Sequence, residues 1–204
     1  MRALIEQRLA QLSGPHDPSV PILANVVGQV SAELRAAIAQ SNRQAAVLIG
    51  LLERPSGLHV LLTERAQHLR HHPGQVSFPG GMLEATDADP VAGALREAHE
   101  EVGLAPEAVS VAGCLQAHAT GTGFCVTPVV GFIAAAFEPK ADPTEVSDVF
   151  EVPLQFVLDA ANLRVTYRDR LGSRFRVYEI EFDGHLIWGA TAAMLMTLKD
   201  IIYA

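Results

Sequence analysis

An α+β fold, with a mixed sheet held between helices, is what this 204-residue sequence predicts. Three observations point there. Short apolar runs of strand character mix with helical segments, and several neighbours join through tight turns where βαβ units would need long crossovers. With 49% of residues hydrophobic and 19% charged, the chain is too apolar for disorder, and its length suits one core burying about 70% of the unfolded surface. No stretch repeats with a solenoid period, and none is low in complexity.

The elements follow in order. Leu4, Ile5, Leu9 and Leu12 fall at helical spacing, so the first dozen residues form a helix. A proline-rich stretch from Ser13 to Pro21 interrupts the chain before a second short helix over Ser31–Ala39. Together these give a helical extension over residues 1–40, packed on a domain spanning 41–204. Ala45–Leu52 and Leu58–Thr63 read as strands around the turn Arg54-Pro-Ser-Gly57. A long polar loop, Glu64 to Ser77, leads to Phe78-Pro-Gly-Gly81. The next helix carries the clearest punctuation: Asp89 is a natural N-cap, Pro90 suits the first helical position, and Gly103 closes the end. Strands over Val109–Ala117 and Phe124–Ala135 turn through Gly121-Thr-Gly123. After Pro139 come a short helical piece near Leu154–Ala161, strands Arg164–Arg168 and Arg174–Phe182, and a turn at Asp183-Gly184 into His185–Trp188. A last helix from Ala190 to Ile202 carries Met194, Leu195, Leu198 and Ile202 on one face.

Composition narrows function. Fifteen basic residues against twenty-three acidic ones give a net charge of −8, which argues against bulk nucleic-acid binding, where a basic stripe supplies most of the affinity. A small polyanionic substrate stays compatible if local cations reverse the sign at the site. No apolar run reaches the roughly eighteen residues of a membrane helix, and Met1–Arg8 places charges where an export signal needs its apolar centre. Cys114 and Cys125 lack C-x-x-C spacing and read as reduced thiols. The expectation is a cytoplasmic protein without membrane or nucleic-acid partners, whose apolar terminal helices leave room for a homodimer.

Chemistry concentrates in Arg96-Glu-Ala-His-Glu-Glu-Val-Gly103. Glu97, Glu100 and Glu101 lie at i, i+3 and i+4 and share one helix face. The rise from Glu97 to Glu101 is about 6 Å, within reach of a shared ion or ion pair. Like charges so spaced each cost a few tenths of a kcal/mol, and the last helical turn disfavours anions by a similar amount. A shared cation removes both penalties, and a hard oxygen set favours Mg²⁺ or Mn²⁺ over zinc. Arg96, four residues before Glu100, can orient that carboxylate. Taken alone, three glutamates also suit a solvated acidic face.

The surrounding spacing decides between these readings. Gly81 precedes the helix, Asp87 follows six residues later, and Gly103-Leu104 closes the segment. Residues Gly81–Leu104 resemble the Nudix box, G-x5-E-x7-R-E-U-x-E-E-x-G-U, where U is a bulky aliphatic. Asp87 stands for the first Glu, eight residues rather than seven separate it from Arg96, and Ala98 is small for its U position. The resemblance implies an α/β/α sandwich with a catalytic loop-helix-loop. It also implies hydrolysis of a nucleoside diphosphate linked to another moiety, with Mg²⁺ or Mn²⁺ as cofactor. By position it gives Glu97, Glu100, Glu101 and the Gly81 carbonyl the metal-ligand roles, with Arg96 in the catalytic set.

A second stretch resembles the coenzyme A pyrophosphatase subfamily: Leu61-Leu-Thr-Glu-Arg65, then Arg70, Gly74 and Phe78-Pro-Gly-Gly81. Ala66 stands where that signature usually has Ser. Val126-Thr-Pro-Val129, Phe150-Glu-Val-Pro-Leu154 and Ile187-Trp-Gly-Ala-Thr-Ala192 fit it too. The implied reaction releases 3′,5′-ADP and 4′-phosphopantetheine. A 3′-phosphate besides the diphosphate calls for cations away from the metals, and the guanidinium forks of Arg65 and Arg70 suit it; ordinary surface ion pairs are the alternative. Phe78 and Gly80 join them as substrate-binding candidates, Gly80 and Gly81 either permitting close backbone approach or serving as turn glycines. His68, His71 and His72 either add hydrogen-bond donors there or are exposed loop imidazoles with no role. The attacking water needs a general base, for which Glu97 and Glu145 are candidates; Glu145 could equally begin a short helix with Thr144 and Asp148. Rival functions are a broader Nudix pyrophosphatase acting on ADP-ribose, NADH or oxidised nucleotides, and a non-catalytic nucleotide-sensing regulator. The full glutamate set argues against the latter.

Overall fold

A computed structural model describes residues 1–12, 25–39, 43–69, 72–120 and 123–204. In chain order the elements are α1 (Arg2–Gln11), β1 (Val26–Val27), α2 (Ala32–Ala39), β2 (Arg43–Arg54), β3 (Gly57–Arg65), β4 (Val76–Ser77), β5 (Gly80–Met82) and α3 (Pro90–Val102). They continue with β6 (Val109–Cys114), β7 (His118–Ala119), β8 (Phe124–Ile133), β9 (Val146–Pro153), α4 (Leu154–Leu158), β10 (Leu163–Arg170), β11 (Ser173–Phe182), β12 (His185–Trp188) and α5 (Gly189–Tyr203).

The long apolar strand β2 organises the molecule. It runs parallel to β8 from Arg43↔Phe124 to Leu52↔Ile133; the other pairings in this sheet are antiparallel, so the sheet is mixed. Alternate β2 residues face opposite sides, as the period of two requires. Ala46, Leu48 and Leu52 pack with Ala94, Ala98 and Val102 of α3. Ala45, Ile49 and Leu51 pack with Ile5 and Leu9 of α1 and with Leu195 and Leu198 of α5. Helices therefore cover both faces, giving the expected α/β/α sandwich.

The α3 helix forms as its punctuation predicts. The Asp89 carboxylate accepts the Ala92 N–H at 2.8 Å, and Gly103 adopts the left-handed conformation at φ 69°. Its N–H and that of Leu104 return to His99 O and Ala98 O, satisfying carbonyls the helix end would orphan.

Three expectations change. The expected strand 109–117 stops at Cys114 as β6, which carries a register shift against β8 between Val111 and Gly113, and the next pairing with β8 is the short β7 at His118–Ala119. Strands β10, β11 and β12 join β1 in a separate antiparallel sheet rather than the mixed one. Finally, Val146–Pro153 is a strand paired with β3. Its period of two is broken at Ser147, which opposes the step from Glu64 to Arg65, and this bulge hid the strand from pattern reading. Glu145 consequently precedes a strand and does not begin a helix. Among the described residues, no helix is long and apolar enough to cross a membrane.

One core residue should make the fold acid-sensitive. His118 is 5% exposed and lies 3.2 Å from Thr197 Oγ1 on α5; burial lowers its pKa from 6.5 to about 4. A histidine whose folded pKa is depressed contributes stability above the unfolded value and loses it as pH falls through the folded one. About 3 kcal/mol should disappear between pH 6.5 and pH 4. Thermal melts of the wild type and His118→Gln across that window test this: the wild-type midpoint should fall more steeply, and parallel slopes would contradict it.

Candidate active site

The site grows from a fork along one edge of β2. Leu51–Arg54 pair with β3, whereas Ala45–Val47 pair with β5. Where β3 leaves, the Leu48 N–H closes the gap by donating to Pro79 O at 2.8 Å. Two glycines follow at this crossing. Gly80 has φ +154°, and a Cβ there would lie 2.4 Å from Ala46 O. At Gly81 a Cβ would fall 2.5 Å from Glu97 Oε1, so the carboxylate rests directly on the glycine backbone. Both are close-approach positions.

The three helix carboxylates sit in different environments. Glu101 is 2% exposed; it accepts the Gly80 N–H at 3.1 Å, and Arg65 Nη1 stands 3.9 Å away. Burial pushes its pKa up to about 8, with repulsion from Glu97 and Glu145 adding to the shift. Burial also raises Glu97, although Arg96 partly offsets it, while Glu100 and Glu145 push the same way as burial. Glu100 is half-exposed and meets Arg96 at 3.0 Å.

Arg96 ties the entering loop to the helix. Its guanidinium grips Asp87 with two bonds of 3.1 and 3.0 Å and donates to Glu97 Oε1, Glu100 Oε2 and Met82 O. Asp87 is held below the usual carboxylate range by Arg96 first and by the Glu84 N–H second. The helical spacing revealed the contact with Glu100; the stronger grip on Asp87, nine residues back, has no helical signature. Arg96→Met should lower stability by about 2 kcal/mol, a melting shift of roughly 4–8 °C. A midpoint within a degree of wild type would show the network to be ordinary surface pairing.

A second loop completes the patch. Lys140 N–H and Asp142 N–H donate to Val102 O and Glu101 O, each at 2.9 Å, docking residues 140–145 on the open end of α3. Asp142 Oδ1 accepts the Thr144 N–H and hydroxyl at 2.8 and 2.7 Å, and Glu145 O accepts the Ala66 N–H at 2.9 Å. Glu145 is thereby set near enough to Glu97 and Glu101 to raise both. Nothing in the local sequence announces this docking.

One other candidate falls elsewhere. Phe78, expected to touch substrate, is 2% exposed and packs in the core on the α5 side. Arg70 and His71 lie outside the described residues. Arg65 is a quarter exposed beside Glu101, at the rim.

The donor set suits a divalent cation. It is all hard oxygen, and burial pushes the Glu101 carboxyl well above the usual carboxylate range, a shift that a bound cation would oppose. As the side chains stand, no three of the described His, Cys, Asp and Glu residues converge into a ready-made cage, and Arg96 occupies Glu97 and Glu100.

A NUDIX domain model matches residues 42–169, a span that takes in the fork, α3 and the docking loop. The chain belongs to the Nudix family. It is 46% identical over 159 residues to an uncharacterized Nudix hydrolase NudL of Enterobacter sp. (strain 638), covering 78% of this chain and 82% of the relative. The NudL of Salmonella paratyphi B is 47% identical with the same coverage. In three dimensions the chain resembles the crystal structure of RenU, a Nudix hydrolase from M. smegmatis, with a TM-score of 0.54 and 21% identity over 79% of this chain and 86% of that one. That likeness shows the Nudix fold. The protein is therefore a Nudix hydrolase, a pyrophosphatase of a family that acts on small nucleotide substrates and generally uses divalent metal ions.

Proposed function

We propose that this Nudix hydrolase cleaves the diphosphate of coenzyme A and its derivatives with Mg²⁺ or Mn²⁺, releasing 3′,5′-ADP and 4′-phosphopantetheine. The observation that carries this reading is the placement of the Leu61–Gly81 stretch. Its first cation, Arg65, stands at the rim beside Glu101, and its last residues form the glycine crossing against Glu97 and Glu101. One continuous segment thus borders the carboxylates and offers a guanidinium fork to phosphate oxygens.

Glu97, Glu100, Glu101 and the Gly81 carbonyl would hold the ions, which supply charge for the diphosphate oxygens and lower the pKa of bound water. Arg96, with all five of its hydrogen bonds directed at protein groups, acts as a positioning residue. Glu145 is the preferred acceptor of the water proton. Glu97 already accepts from Arg96, whereas Glu145 lies near enough to Glu97 and Glu101 to raise both, and its backbone is held by Ala66 and Asp142. Water adds to one phosphorus and the bridging P–O bond breaks.

Incubating the enzyme with coenzyme A, ADP-ribose and NADH in Mg²⁺ or Mn²⁺ tests the substrate. Coenzyme A should yield 3′,5′-ADP at a kcat/KM at least tenfold above the others. Equal turnover would replace the proposal by a broad pyrophosphatase, and no turnover of any would point to a nucleotide sensor.

A further inference from the structure

We infer that His68 and Ser147 are positioning residues for Glu145, holding its loop against the α3 carboxylates. This rests on the reading of Glu145 as proton acceptor.

The argument begins at the bulge in β9. Glu64 pairs with Asp148 and Arg65 with Val146, leaving Ser147 without a partner across the ladder. The strand edge therefore bends away from β3 at this point. Arg65 keeps its backbone partners on the other side, its N–H donating to Gln75 O and its O accepting the Gly74 N–H, each at 3.0 Å, and Ser147 Oγ spans the bulge, lying 3.1 Å from Glu64 O and 3.4 Å from Arg65 O.

On the other side of Glu145, His68 Nε2 lies 3.1 Å from Thr144 O. A carbonyl only accepts, so Nε2 carries the proton and donates. Between the two ties, Glu145 O accepts the Ala66 N–H at 2.9 Å. Three consecutive links thus flank one carboxylate, and two of them are made by side chains that touch neither Glu97, Glu100 nor Glu101 in any hydrogen bond. The bulge turns the chain so that Glu145 leaves the strand toward the helix, while His68 and Ser147 fix how far it reaches.

Both side chains are exposed, where a hydrogen bond contributes about 1 kcal/mol. The expected loss per truncation is therefore about fivefold in kcat, with KM unchanged within twofold. His68→Ala, His68→Gln, Ser147→Ala, Glu145→Gln and the two double variants with Glu145→Gln should be assayed with Mg²⁺. The substrate is whichever of coenzyme A, ADP-ribose and NADH the wild type turns over fastest. Each alanine should lower kcat, glutamine at 68 should restore most of it through its own N–H, and neither alanine should matter once Glu145 is Gln. Hydrogen exchange at the Ala66 amide, which needs no activity, should quicken in both alanine variants. Wild-type kcat and Ala66 exchange in the alanine variants, with Glu145→Gln impaired, would overturn the positioning role. So would equal alanine effects with and without Glu145. A wild-type rate in Glu145→Gln would instead overturn the reading of Glu145.

Discussion

Glu101→Gln is expected to lower kcat by about a thousandfold or more, ~4 kcal/mol of transition-state stabilisation. The reason lies in how Glu101 is held. It is the most buried of the three helix carboxylates; it accepts the Gly80 N–H, and the Arg65 guanidinium stands 3.9 Å away. Burial holds its pKa near 8, so a cation bound there would offset a deficit the fold leaves. Gln keeps an oxygen for the Gly80 N–H, so the metal-free melting temperature should not fall. Millimolar Mg²⁺ or Mn²⁺ should raise the wild-type midpoint by mass action and leave the variant's nearly fixed. A variant keeping more than about a tenth of the wild-type rate would remove Glu101 from the metal set.

The two adjacent glycines should respond in opposite ways to the same methyl group. At Gly80 the obstacle is backbone: Ala46 O at 2.4 Å and Val47 Cα at 2.6 Å, with φ at +154°. The β2–β5 pairing cannot yield without breaking, so Gly80→Ala should cost about 3 kcal/mol, or roughly 6–12 °C in melting midpoint. At Gly81 the obstacle is the tip of Glu97, which can swing aside. Gly81→Ala should therefore melt within a few degrees of wild type yet lose at least tenfold in kcat, about 1.4 kcal/mol, because Glu97 is pushed off its seat. Melting curves and steady-state rates on both variants check this. Equal stability of the two, or full activity of Gly81→Ala, would contradict the crossing described.

Much of this was legible because it is local. Asp89, Pro90 and Gly103 mark α3 through capping chemistry that acts within a few residues, and the 3.6-residue period alone puts Glu97, Glu100 and Glu101 on one face. The glycines before the helix were also readable as close-approach or turn positions, though not which of the two. The burial of Phe78 is not legible in sequence, because an aromatic beside glycines looks the same whether it points into a cleft or a core. Strand β9 escaped because its bulge at Ser147 destroys the alternation on which strand recognition rests.

The sequence by itself determined the sandwich of helices around a mixed sheet, the family, and the identity of the helix carboxylates. Tertiary structure alone decided that Glu101 is buried while Glu100 faces solvent, that Arg96 grips Asp87, and that the Asp142 turn brings Glu145 to the patch. Periodicity and capping are set by neighbours along the chain. Burial and loop docking depend on groups tens of residues apart, such as Ala66 and Glu145, and those meet only when the sheet has formed.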